Sequence, residues 1–108
     1  MTDQYMLIPN IDDLIEDFQA DSITSRTFHK GNGFTAVLFA FDAGQELSEH
    51  TSTKSAILQI IEGEASLTLG EDAHKVSKGA WIQMQPNLKH SIYAETPLKM
   101  ILLMLDKA

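Results

Sequence analysis

Four histidines carry most of the chemistry available to this chain, and two of them are set apart by their surroundings. His50 follows Gly44 with five residues between, inside the run G-Q-E-L-S-E-H-T-S-T-K-S-A-I-L-Q-I-I-E-G (44–63). His90 follows Gly79 with ten residues between and comes just after Gln85-Pro86-Asn87, a turn-forming run that aims it from the start of a strand. Imidazole titrates near neutrality and is a common metal ligand, so two histidines brought together can hold an ion, move a proton or bind a polar group. The other two lack such settings. His74 lies in E-D-A-H-K, a charged hairpin tip, and is expected to be solvated. His29 precedes a turn and has no partner spacing, which suits a strand end at the surface.

Several chemistries are excluded or disfavoured. There is no cysteine, so disulfides, thiolate ligands and cysteine nucleophiles are absent, which fits a reducing cytoplasmic setting. Ser52 could pair with either histidine, but no oriented acid or oxyanion hole is readable. Gly31-Asn32-Gly33 is a hairpin turn with no helix after it, and so no phosphate loop. The net charge is −7 and the basic residues are scattered, which argues against nucleic acid and anionic membranes as partners. The first ten residues have no basic stretch before an apolar run and do not read as a signal peptide. The longest apolar run, Met100 to Leu105, is six residues, against the ~20 needed for a membrane helix.

The elements that must position the histidines are mostly strands. Ile11, Leu14, Ile15 and Phe18 fall at helical spacing, with Asn10 as a cap and Asp12 and Asp13 in the first turn, and predict a short helix over Ile11 to Gln19. Strand signals then follow at Ser22–His29, Phe34–Phe41, Ser55–Glu62, Glu64–Leu69, His74–Val76, Ala80–Met84, His90–Ala94 and Leu98–Leu105. Turns recur every ~8–12 residues, the pattern of an all-β sandwich or barrel. The 108 residues are expected to form one domain. Strands 56–61 and 100–105 are apolar at both parities, whereas a two-layer sandwich gives each sheet one core face. The N-terminal helix can cover one outer patch. A second copy is the expected cover for the rest, which predicts a homodimer.

With those residues in place, the sequence resembles a small single-domain cupin. That family's first motif is G, five residues, H, one residue, H, three or four residues, E, six residues, G. Gly44, His50 and Gly63 match it, while Ser52 stands at the second histidine and Ala56 at the glutamate. The second motif is G, five residues, P, one residue, G, two residues, H, three residues, N. Gly79 and His90 match. Gln85 replaces the proline, with Pro86 one place later, Asn87 replaces the glycine, and Ala94 the asparagine. Asparagine is the substitute that best tolerates a left-handed turn. Residues 64–78 separate the motifs, and the resemblance covers 34–105.

The resemblance implies a double-stranded β-helix, or jelly roll, preceded by a short helix and arm over 1–30. In metal-binding cupins two histidines and a glutamate of the first motif and the histidine of the second hold Fe, Mn, Ni, Zn or Cu. Only His50 and His90 of those positions remain here. Catalytic zinc uses three protein ligands and non-haem iron two histidines plus a carboxylate, so no tight metal is expected. Any metal present would fall to His50 and His90. By strand parity Glu46 shares the side of His50 but could reach it only if the local strand bends, and Glu49 should point out. Smaller side chains at 52 and 56 enlarge the pocket, with Leu58 and Ile60 on the same face. The expected ligand pocket is His50, Ser52, Ala56, Leu58, Ile60, Met84 and His90, suited to a small apolar or weakly polar molecule. Trp81, Phe39 and Phe41 could add walls, although core packing is the commoner role for each. Two alternatives stand beside this reading: a metal-dependent cupin enzyme of dioxygenase or isomerase type using His50 and His90, and a catalytically silent interaction or sensor module.

Overall fold

The computed structural model describes residues 4–107. Within them, one 3-10 turn (Ile11–Leu14) precedes strands β1 (Ile23–Gly31), β2 (Phe34–Phe41), β3 (Glu46–His50), β4 (Ser55–Glu62), β5 (Glu64–Leu69), β6 (Asp72–Ser77), β7 (Trp81–Met84), β8 (His90–Ala94) and β9 (Leu98–Leu105). All pairings are antiparallel, in a five-stranded sheet ordered β1-β2-β9-β4-β7 and a four-stranded sheet ordered β3-β8-β5-β6. The chain passes from one sheet to the other at Gly63, between β4 and β5, with φ +87°. This all-β, jelly-roll arrangement is the one expected from the turn spacing and the resemblance.

Alternation along the strands builds the core. Phe41, Ala56, Leu58, Ile60, Met84, Leu98 and Met100 face inward from the five-stranded sheet and meet Ala65, Leu67, Ile92 and Ala94 from the other. The five-stranded sheet is also apolar outside. Leu38 and Ala40 are buried there beneath Ile15, with Leu14, Phe18, Phe28, Ile61 and Ile101 around them. Ordinary alternation along β4 puts Ile60 in the core and Ile61 in this outer cluster.

The N-terminal segment corrects the expected helix over Ile11 to Gln19. Asn10 does cap, its Oδ1 accepting the Asp12 N–H at 3.2 Å, but the helical turn stops at Leu14 and Ile15 is extended at φ −138°, ψ 102°. A helix of nine residues has little intrinsic stability. Here Leu14, Ile15 and Phe18 reach the sheet without one, so tertiary packing decides the backbone. Lys99, only 4% exposed, fastens the segment. Its Nζ donates to Asp12 Oδ1 at 3.0 Å and lies 5.4 Å from the centre of the Phe18 ring.

Candidate functional site

The site begins with a bulge. β3 and β8 pair Glu46 with Tyr93 and Leu47 with Ile92, and then the register shifts so that His50 pairs with His90. Ser48 and Glu49 together therefore oppose Ser91. The extra residue inverts parity along β3. Leu47 packs on the inner core and His50 meets the inward-facing His90, while Glu46 stands opposite Tyr93 and is exposed. Alternation read along the sequence puts Glu46 on the side of His50, and the bulge overturns this by turning Glu46 away. Glu49 is exposed too, as expected.

The two imidazoles meet in a tilted, edge-on contact, centroids 4.1 Å apart and planes at 61°. Each is held by the carbonyl two residues back: His50 Nδ1 lies 2.8 Å from Ser48 O, and His90 Nδ1 2.9 Å from Leu88 O. A carbonyl oxygen only accepts, so both Nδ1 atoms donate, which in the neutral form of either ring leaves the lone pair on Nε2. His90 is 8% exposed, whereas His50 is open to solvent. The pair thus spans the boundary between solvent and core.

The other expected strand residues of the pocket lie on β4 and β7 of the five-stranded sheet. Ala56 and Met84 are Cα partners across β4 and β7, and with Leu58 and Ile60 they are closed into the main core cluster. Leu69, the Cα partner of His90 on β5, packs against the same cluster. Ser52 is half-buried, and its Oγ accepts the Lys54 N–H at 3.1 Å, fixing a turn before β4. The turns of the two histidine segments are joined by a backbone bond of 2.7 Å from Asn87 N–H to Ser52 O. Asn87 has φ +68°, the left-handed conformation for which asparagine stands in for glycine. Two surface grooves lie elsewhere, one of about 310 Å³ lined by Glu64, Lys75, Ser77 and Glu95, the other of about 360 Å³ lined by Tyr5, Met6, His29 and Asn32.

The remaining candidates separate cleanly. Trp81 is 60% exposed on an edge strand and walls nothing, because odd positions of β7 face outward. Phe41 is fully buried in the core, and Phe39 packs against it. His74 is exposed, paired with Leu67 across β5 and β6. His29 stacks on Phe34 at 4.2 Å. Sequence reasoning misses Leu47 and Leu69. Leu69 could be found by carrying the alternation of β5 to its end, but Leu47 depends on a bulge that no residue type announces.

The donor set does not suit a cupin metal centre. Among the described residues no group of three or more His, Cys, Asp or Glu side chains is arranged to hold an ion. The positions of the second histidine and the glutamate hold a serine engaged in its own turn and a buried alanine.

A model of the cupin domain matches residues 37–105. The chain belongs to the cupin family. No curated protein matches it. Among solved structures, a conserved protein of unknown function from Streptococcus pyogenes is 24% identical with a TM-score of 0.85, covering 97% of this chain and 91% of that one. A cupin superfamily protein from Desulfitobacterium hafniense is 21% identical with a TM-score of 0.84, covering 97% and 94%. Salicylate 1,2-dioxygenase from Pseudoaminobacter salicylatoxidans is 16% identical with a TM-score of 0.73, covering 79% of this chain but 25% of that one. At these identities the likeness is one of fold.

Proposed function

We propose that this cupin binds a small apolar or weakly polar molecule at the barrel mouth, beneath His50 and His90 and without a tight metal. The observation that carries this reading is the paired imidazoles with both Nδ1 atoms committed to backbone carbonyls. In this reading the two Nε2 lone pairs face the apolar side chains of Ala56, Leu58 and Met84, which belong to the main core cluster. The matching ligand has an apolar body and one or two O–H or N–H donors. Met84, unbranched and adaptable, is the one best able to give way. The same lone pairs favour a second reading, a metal-dependent cupin enzyme in which water or substrate completes the coordination of His50 and His90.

Elemental analysis after dialysis against a chelator separates the two. The proposal expects no stoichiometric transition metal, and a thermal upshift with small phenols or alcohols that disappears in His90→Ala. A stoichiometric metal that is lost in His50→Ala or His90→Ala would overturn it in favour of the enzyme.

A further inference from the structure

Lys30-Gly31-Asn32-Gly33 closes the hairpin between β1 and β2, and binding in the barrel makes no use of it. Asn32 has φ +52° and Gly33 φ +95°. Both central residues of the two-residue loop are thus left-handed, which makes the turn type I′. Gly31 and Phe34 pair across its base, and both loop residues are exposed. Asn32 also lines the groove of about 360 Å³ that it shares with Tyr5, Met6 and His29, so water reaches it.

The two ends of this turn are held and its middle is not. Gly31 O accepts the His29 Nε2–H at 2.7 Å, and the His29 ring is stacked on Phe34. Gly33 O accepts the Asp106 N–H at 2.8 Å. Among the described residues neither the Asn32 carbonyl nor the Gly33 N–H enters a hydrogen bond. The peptide between them can therefore turn over without breaking one. That motion converts type I′ into type II′, and both fit the twist of a hairpin. Asn32 keeps its positive φ in either form, and only Gly33 must change the sign of φ. Glycine does so freely, and nothing stands within 4 Å of where its Cβ would be. In the turned-over form the Gly33 nitrogen eclipses the Asn32 Cβ, the arrangement from which a five-membered ring closes on the side-chain amide.

We propose that Asn32 is a site of spontaneous deamidation. The Gly33 nitrogen bonds to Asn32 Cγ as the Cγ–Nδ2 bond breaks, and the proton lost from Gly33 N leaves with the amide as ammonia. Water then opens the succinimide at either carbonyl, giving aspartate or isoaspartate. No oxidant or metal takes part. Each event adds one negative charge to the −7 of the chain. Aspartate suits the same turn, because Asp-Gly favours type I′ as Asn-Gly does. Isoaspartate puts an additional methylene into the main chain, which works against the Gly31–Phe34 pairing. The chain's other two asparagines are shielded. Asn10 precedes the β-branched Ile11, and its Oδ1 is engaged by the Asp12 N–H at 3.2 Å. Asn87 precedes Leu88, whose N–H donates to Gln85 O at 3.4 Å.

The full chain, incubated at mildly alkaline pH beside the isolated peptide Lys30–Phe34, tests this by ion exchange and peptide mass spectrometry. A more acidic species should accumulate, with Asn32 carrying the mass gained when an amide NH2 becomes OH and Asn10 and Asn87 unchanged. An isoaspartate-specific methyltransferase should label it. The native rate should fall within about tenfold of the peptide's, the factor that ~1.4 kcal/mol of barrier makes. Asn32→Gln, whose ring would need one more atom, should lose the acidic species, with circular dichroism confirming the fold. An Asn32 amide that stays intact in the native chain after the peptide has converted overturns the proposal, since the turn then forbids the motion. So does an acidic species that persists in Asn32→Gln.

Discussion

His50 and His90 are paired in register across β3 and β8, and their rings meet at 4.1 Å. A β-bulge makes the encounter possible. Without the additional residue at Ser48-Glu49, alternation from Leu47 would send His50 to the solvent side and put Glu49 inside. The glutamate that might have served as a third ligand is thus excluded by the same kink that admits the histidine. The two rings are also fixed in the same way, each by the carbonyl two residues back, so neither relies on a carboxylate for its tautomer.

If two substitutions emptied the metal positions, reversing them should refill the site. Ser52→His combined with Ala56→Glu is expected to bind one divalent transition metal per chain, measurable by calorimetry with Mn or Zn. Without metal the double variant should be less stable by about 2–4 kcal/mol, because the second substitution places a carboxylate where Ala56 is 4% exposed. Metal should restore the loss by binding only the folded state. Addition of His90→Ala should abolish both effects.

Lys99 and Asp12 make a different kind of contact, a buried cation whose carboxylate partner is 46% exposed. Removing the partner leaves the ammonium without its counter-charge beneath Phe18. Asp12→Ala should cost about 1–3 kcal/mol in urea unfolding, less than a fully buried pair would because Asp12 is solvated. Lys99→Met keeps the length, removes the buried charge and should stay within about 1 kcal/mol of the parent. If Lys99→Met proves the more damaging of the two, the cation itself holds the segment in place.

The fold is largely legible in the sequence. Phe34–Phe41, Ser55–Glu62, Glu64–Leu69, His90–Ala94 and Leu98–Leu105 begin and end where apolar content and turn residues place them. β3 escapes such a reading because Glu46–His50 has one apolar residue and its register is set by a bulge. The helical spacing of Ile11, Leu14, Ile15 and Phe18 is real as an apolar pattern and misleading as a conformation, since the sheet accepts the same side chains from an extended chain. The meeting of His50 and His90 is what the cupin resemblance implies from their motif positions after Gly44 and Gly79. The outward turn of Glu46 is not legible, because alternation read along a sequence assumes that no residue is inserted.

Asn87 tests how far the second histidine segment relies on its turn. Its φ of +68° suits glycine or asparagine, and its N–H holds Ser52 O. Asn87→Gly should leave stability within about 0.5 kcal/mol. Asn87→Val, β-branched in a left-handed conformation, should cost about 1–2 kcal/mol. Because the strained link joins the two histidine-bearing segments, Asn87→Val should also shift the His90 ring resonances in an NMR spectrum, whereas Asn87→Gly should not.

Gly63 and Gly79 both have positive φ, +87° and +99°, but only one is sterically enclosed. A methyl group at 63 would run into the Pro97 carbonyl and lie 2.9 Å from Thr96 Oγ1, which already accepts the Glu64 N–H. At 79 nothing stands within 4 Å. Alanine at either site pays the left-handed penalty of about 1–2 kcal/mol. Alanine at 63 must in addition displace the backbone between β8 and β9, at about 1–3 kcal/mol for overpacking. With about 4–8 °C of melting temperature per kcal/mol for a domain of this size, Gly63→Ala should melt roughly 5–20 °C below Gly79→Ala. Equal melting temperatures for the two variants would mean that the crossing from β4 to β5 yields easily and that Gly63 serves conformation alone.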